Sequence, residues 1–97
     1  MTLKLTKYDP AEDLGDPQAQ AELISDAFAS GDPAYIKVAL NTVARARNMT
    51  QIAENAGITR QALYKALSED GDPKLSTLIG VTKAMGIQIS ATAQPTA

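Results

Sequence analysis

Between residues 33 and 47 the apolar positions Ile36, Leu40, Val43 and Ala44 fall at i, i+4, i+7 and i+8, a spacing that puts them on one face of an α-helix and predicts a helix over 33–47 packed on a core. Leu75, Leu78, Val81, Thr82 and Met85 repeat the pattern over 75–85, and Gly86 follows where that helix must stop. A narrower stripe of Ile24, Ala27 and Phe28 predicts a helix over 17–29, with Phe28 in the core. Two shorter helical patterns, Gln51–Ala56 and Arg60–Leu67, are separated by Gly57, Ile58 and Thr59 alone. So short a link leaves room only for a tight helix-to-helix corner. The period then changes: Ile87-Gln88-Ile89-Ser90-Ala91-Thr92-Ala93 alternates apolar with polar, the pattern of a half-buried strand. Its one candidate partner within the chain is the segment around Leu3 and Leu5. A strand needs a neighbour, so pairing with the same strand of a second copy through Ile87, Ile89 and Ala91 is the expectation, with a frayed tail as the alternative.

The punctuation agrees with these elements. Four of the five prolines follow an aspartate, and Asp-Pro suits a helix start because aspartate caps while proline occupies the first position, where no amide bond is lost. The device at Asp9-Pro10 predicts a short turn over 10–14, and those at Asp16-Pro17 and Asp32-Pro33 begin the two helices that follow. The corner is specified more closely still. Ala53 is small enough to let two helices cross closely, and Gly57 supplies the left-handed residue that ends the first. Ile58 and Leu63 flank Thr59 as an apolar pair around an N-cap. Thr50 is expected to cap the first short helix, which Gln51 opens.

Composition narrows the chemistry. A chain of 97 residues is one domain, or one domain with an extension, and buries about two-thirds of its unfolded surface. Cysteine, histidine and tryptophan are absent, which removes thiolate and imidazole catalysis, disulfides and the usual transition-metal ligands. No metal or cofactor is expected, and no enzymatic activity: paired carboxylates such as Asp70 and Asp72 sit in a polar turn, where they cap or solvate. No apolar run approaches the ~18 residues of a membrane span, and Met1–Lys7 lacks the apolar core of a signal peptide, so the cytoplasm is the expected compartment and no membrane partner is expected.

Charge is unevenly placed. The net value is −2. Residues 1–32 carry two lysines against seven acids, a balance of −5, whereas residues 33–67 carry Lys37, Arg45, Arg47, Arg60 and Lys65 against Glu54 alone, a balance of +4. The remaining residues return −1, from two lysines against three acids. The basic block coincides with the corner, and local phosphate neutralisation governs affinity for nucleic acid more than net charge does. An acidic part beside a basic part suggests two surfaces for two partners.

Read as a helix-turn-helix, the corner presents its second helix to the DNA major groove, and the side chains at the start of that helix fit base edges. Arg60 can donate two parallel hydrogen bonds to guanine O6 and N7, and Gln61 can pair bidentately with adenine N6 and N7. Thr59 begins this helix, and Lys65 lies one turn beyond Gln61, within reach of a base or a phosphate. Thr50 and Gln51 can donate to phosphate oxygens. Tyr64 either contacts phosphate or covers part of the core. Arg47, with Arg45 in the same last turn, either contacts phosphate or complements the helix dipole in solvent. Any one of these polar residues could simply be solvated; it is their concentration beside one corner that points to DNA.

The spacing of the corner resembles the lambda-repressor-like (Cro/C1, XRE) helix-turn-helix superfamily. Most of the chain, residues 7–90, is similar to the HigA-type addiction-module antidote proteins. That likeness rests on Tyr8-Asp9 with Glu12 and Leu14, Ala34-Tyr35-Ile36, Ala39-Leu40, Val43-Ala44-Arg45-Ala46, Ile52-Ala53, Gly57, Thr59-Arg60, Ala62-Leu63-Tyr64-Lys65-Ala66-Leu67, Gly71-Asp72-Pro73 and Ala84-Met85-Gly86. The resemblance implies an all-α, five-helix domain with a short C-terminal β-strand used in dimerisation, in a bacterial cytoplasmic protein. It also implies a homodimer that binds operator DNA, represses its own operon and neutralises a small basic RelE/ParE-like (HigB-type) ribonuclease toxin by direct contact. On this reading residues 1–32 form the acidic toxin-contact region, 33–86 the DNA-binding domain and 87–97 the strand and tail. The expected strand is weaker than is usual in such proteins, because Ala91, Ala93 and Gln94 contribute little apolar surface. A stand-alone dimeric repressor and a protein-interaction module without DNA binding are the competing readings, and Arg60, Gln61 and Lys65 together argue against the second.

Overall fold

The computed structural model describes residues 15–95, so the turn expected at Asp9-Pro10 and the Leu3/Leu5 segment lie outside the described residues. Five helices follow one another: α1 (Pro17–Ser30), α2 (Pro33–Arg47), α3 (Met49–Asn55), α4 (Arg60–Ala66) and α5 (Leu75–Ala84). The two Asp-Pro starts work as the sequence suggested. Asp16 accepts from the Gln18 amide at 3.2 Å and Asp32 from the Ala34 amide at 3.0 Å, in each case with proline in the first turn. Between them Gly31 closes α1.

Helix α2 is the spine. It packs against α1 on one side and α3 on the other, and α3 in turn packs against α4 and α5. Of the stripe its periodicity predicts, Leu40, Val43 and Ala44 are buried and Ile36 is half-buried; Ala39 and Thr42 are buried with them. Every helix contributes to this one core: Ile24 and Ala27 from α1, Met49, Ile52 and Ala53 from α3, Leu63 from α4 and Val81 from α5. Leu67 and Met85 complete it just past the ends of α4 and α5. Phe28 is half-buried against the edge of this core. Full burial of a leucine such as Leu63 is worth about 1.5–3 kcal/mol. The two buried threonines are satisfied locally: Thr42 Oγ1 donates to the Val38 carbonyl at 2.8 Å and Thr82 Oγ1 to that of Leu78 at 3.0 Å.

One expectation is corrected and a second is not shown by the single chain. The first short helix is capped by Asn48, not Thr50. Asn48 ends α2 and begins α3 in a single residue at φ 124°, and its carboxamide oxygen accepts from the Gln51 amide at 3.2 Å. Asparagine tolerates positive φ far better than a β-branched threonine; Thr50 therefore falls inside α3, on its exposed side. The second concerns residues 87–93, which form no strand; among the described residues there is none. A ladder needs a second backbone, and nothing in the described chain runs alongside to supply one.

Candidate nucleic-acid interface

The corner between α3 and α4 is built from backbone hydrogen bonds. Gly57 adopts φ 79°, its amide donates to the Glu54 carbonyl at 3.0 Å, and the Ile58 amide reaches back to the Ala53 carbonyl at 3.0 Å. These two bonds make a Schellman termination, which needs a left-handed residue at the position Gly57 fills. Thr59 then caps α4 by accepting from the Ala62 amide at 3.0 Å, with Ile58 half-buried and Leu63 fully buried on either side of it. Ala53 is likewise buried. The four residues expected to shape the turn, Ala53, Gly57, Ile58 and Leu63, all occupy the positions that the corner requires.

Helix α4 has two faces. Leu63 and Leu67 anchor one in the core, while Arg60 with Tyr64, and Gln61 with Lys65, form two exposed columns one turn apart on the other. No acid lies on α4 to neutralise them. The Arg60 guanidinium carbon sits 5.3 Å from the centre of the Tyr64 ring, and its Nη2 points to the phenolic oxygen at 3.4 Å. Thr50 and Gln51 are exposed on neighbouring α3, where Gln51 Nε2 donates to Asn55 Oδ1 at 3.3 Å. The structure therefore brings Thr50, Gln51, Thr59, Arg60, Gln61, Tyr64 and Lys65 onto α3 and α4 as exposed side chains.

Arg47 is set apart from them. Its Nη1 donates to Oε1 of the buried Gln20 at 3.1 Å, and its side chain lines a groove of about 1020 Å³ between α1 and residues 85–94. The last turn of α2 lies against α1, so the side chain binds there. Lys37 is also committed to structure, donating to the carbonyls of Glu69 at 2.8 Å and Gly71 at 2.7 Å. It thereby ties the loop after α4 back to α2. At Gly71 a Cβ would run into the carbonyl oxygens of Lys65 and Ala66, so the loop can close on the end of α4 only with glycine there. Sequence reasoning missed both this tether and the Asn48 cap. The local signal for the cap was an asparagine between two helical patterns; the tether spans more than thirty residues and has no local signal.

Two further surfaces accompany the corner. The acids in and beside α1 are partly occupied: Asp16 and Asp32 cap α1 and α2, and Asp26 accepts from the Tyr35 hydroxyl at 2.6 Å. That bond, followed by partial burial and the nearby carboxylate charge, raises the Tyr35 phenol above its usual pKa of 10.0. On α5 and beyond, Leu75, Ile79 and Ile89 are exposed by 71%, 50% and 44%, and a smaller depression joins Ile79 to Ile87 and Ile89. Among the described residues no group of side chains is arranged to hold a metal ion and no helix is long and apolar enough to cross a membrane.

Comparison with known proteins adds to this geometry. Residues 4–93 match a protein family described as probable addiction module antidote protein. A Haemophilus influenzae protein described only as uncharacterized is 41% identical over 88 residues, covering 91% of each chain. No solved structure matches.

Proposed function

Because the chain belongs to the family of probable addiction module antidote proteins, which implies a cognate toxin as its partner, we propose that it is a HigA-type antitoxin that reads operator DNA and represses its own operon. The match over residues 4–93 carries the antitoxin assignment. The DNA-reading part rests on the α3–α4 corner, which has the capping and spacing of a lambda-repressor-like (XRE) helix-turn-helix and an exposed outer face of α4 bearing Arg60, Gln61 and Lys65. Arg60 and Gln61 read base edges; Thr50, Gln51, Thr59 and Lys65 meet the phosphates.

The toxin is a small basic RelE/ParE-like protein of the HigB type, a ribonuclease that the antitoxin blocks by direct contact. Its docking surface includes α1, whose acids Glu22 and Asp26, with Asp16 and Asp32 flanking the helix, are all exposed and suit a cationic partner. The protein acts as a homodimer. Support for this comes from the exposed apolar side chains Leu75, Ile79 and Ile89 and from the alternating segment through Ile87, Ile89 and Ala91, which forms its strand by pairing with a second copy. Two heads related by a two-fold axis require half-sites ~34 Å apart or a multiple of that distance.

Co-expression with the product of the adjoining reading frame tests the toxin assignment. That product alone arrests growth, this chain restores it, and the two co-purify. Growth arrest that this chain does not relieve, or an adjoining product without toxicity, overturns the toxin assignment.

A further inference from the structure

We infer that Tyr64 is a positioning residue for base recognition: its ring holds the Arg60 guanidinium in place before DNA arrives. The inference deepens the DNA-reading assignment of α4 and rests on it.

Arg60 is the first residue of α4, where the positive end of the helix dipole disfavours a cation. The first turn of α4 holds no acid that would offset this. A stabilising role for Arg60 in the helix is therefore a poor explanation for its presence. Tyr64 is 41% exposed and is not part of the core, so its ring is not needed for packing. What the two residues have is each other. The guanidinium carbon lies 5.3 Å from the ring centre, within the range of a cation–π contact, and Nη2 is 3.4 Å from the phenolic oxygen.

This arrangement restricts a long, flexible side chain while spending at most one of its N–H groups, and that one on a weak bond. The remaining N–H groups keep the fork that matches guanine O6 and N7. Restricting the side chain in the free protein removes part of the ordering cost that binding would otherwise incur. The i, i+4 spacing keeps the pair together on the face that also carries Gln61 and Lys65. Tyr64 thus acts on sequence preference through Arg60, and the ring face matters more than the hydroxyl.

The test uses the full chain and the duplex it enriches from a random-sequence pool, with each guanine of that duplex then replaced in turn. Y64L lowers the preference for guanine at one position by about three- to five-fold. Affinity for random DNA stays as in wild type. Y64F keeps most of the preference, and in an R60A background Y64L has no further effect. In the free protein, the Arg60 Nε–H resonance reports a restricted side chain in wild type and Y64F, and an averaged one in Y64L. An equal loss from Y64L with and without Arg60 overturns the inference and makes Tyr64 a DNA contact in its own right. So does an Arg60 resonance that Y64L leaves unchanged. If the pool yields no enriched duplex, the DNA-reading assignment fails, and with it any role in recognition, while the resonance still decides whether Tyr64 holds Arg60.

Discussion

Asn48 concentrates two demands on one residue: a positive φ of 124° and a side-chain oxygen that caps α3. The two can be separated by substitution. Asn48→Gly keeps the backbone freedom and loses only the cap, whereas Asn48→Ala loses both. Urea denaturation should show Asn48→Ala less stable by about 1–3 kcal/mol and Asn48→Gly by less; an Asn48→Gly variant as stable as wild type would mean that the cap contributes nothing, and the reverse order of the two variants that the positive φ costs nothing. Tyr35 gives a pH signature. Its phenol is held protonated by Asp26, so the folded state retains this proton to higher pH than the unfolded chain does. The contribution is present below pH 10.0 and is lost as pH rises through and beyond it. Wild type should therefore lose stability more steeply than Tyr35→Phe above that pH, and parallel curves would count against the bond. If α4 reads DNA as proposed, Gln61→Ala should cost about 1–3 kcal/mol of specific binding and relax one base position, whereas Lys65→Ala should lower the salt slope by about one. Equal loss on specific and random DNA for Gln61→Ala would remove its base-reading role.

The elements were legible in the sequence wherever a local rule decides. Asp16 and Asp32 announce α1 and α2, the apolar spacing of Leu40, Val43 and Ala44 marks the buried face, and Gly57 with Thr59 defines the corner. Contacts between elements were not legible. Nothing near Lys37 in sequence says that its ammonium will hold the carbonyls of Glu69 and Gly71, or that Arg47 will settle on Gln20 rather than join the exposed face of α4. Long side chains choose partners that only the packed chain brings near. The strand expected over 87–93 is not seen in the single chain for a related reason: period-two alternation records a propensity, and a ladder depends on a neighbour. The Lys37 tether also has a measurable consequence at this scale. Lys37→Met should speed amide exchange at Gly71 and Ser68, whose amides are bonded within that loop, while leaving α1 and α2 protected. Unchanged exchange there would show that the loop closes without Lys37.

In the proposed function the whole molecule gives two partners and a second copy separate surfaces: DNA the α3–α4 corner, a basic toxin α1, and the dimer the apolar side chains of α5 and the segment after it. The dimer is open to direct test, because Ile79 and Ile89 are exposed and their replacement leaves the core intact. Ile79→Glu with Ile89→Glu should halve the mass seen by analytical ultracentrifugation without changing the helical signal; an unaltered mass would move the interface elsewhere. Recognition of a particular DNA sequence by this chain is read out by a titration against the DNA upstream of its own reading frame, beside a shuffled duplex of equal length. At two salt concentrations the upstream DNA should be preferred by about 10³-fold or more, with affinity for both duplexes falling as salt rises. Equal affinity for the two duplexes at both salts would contradict it.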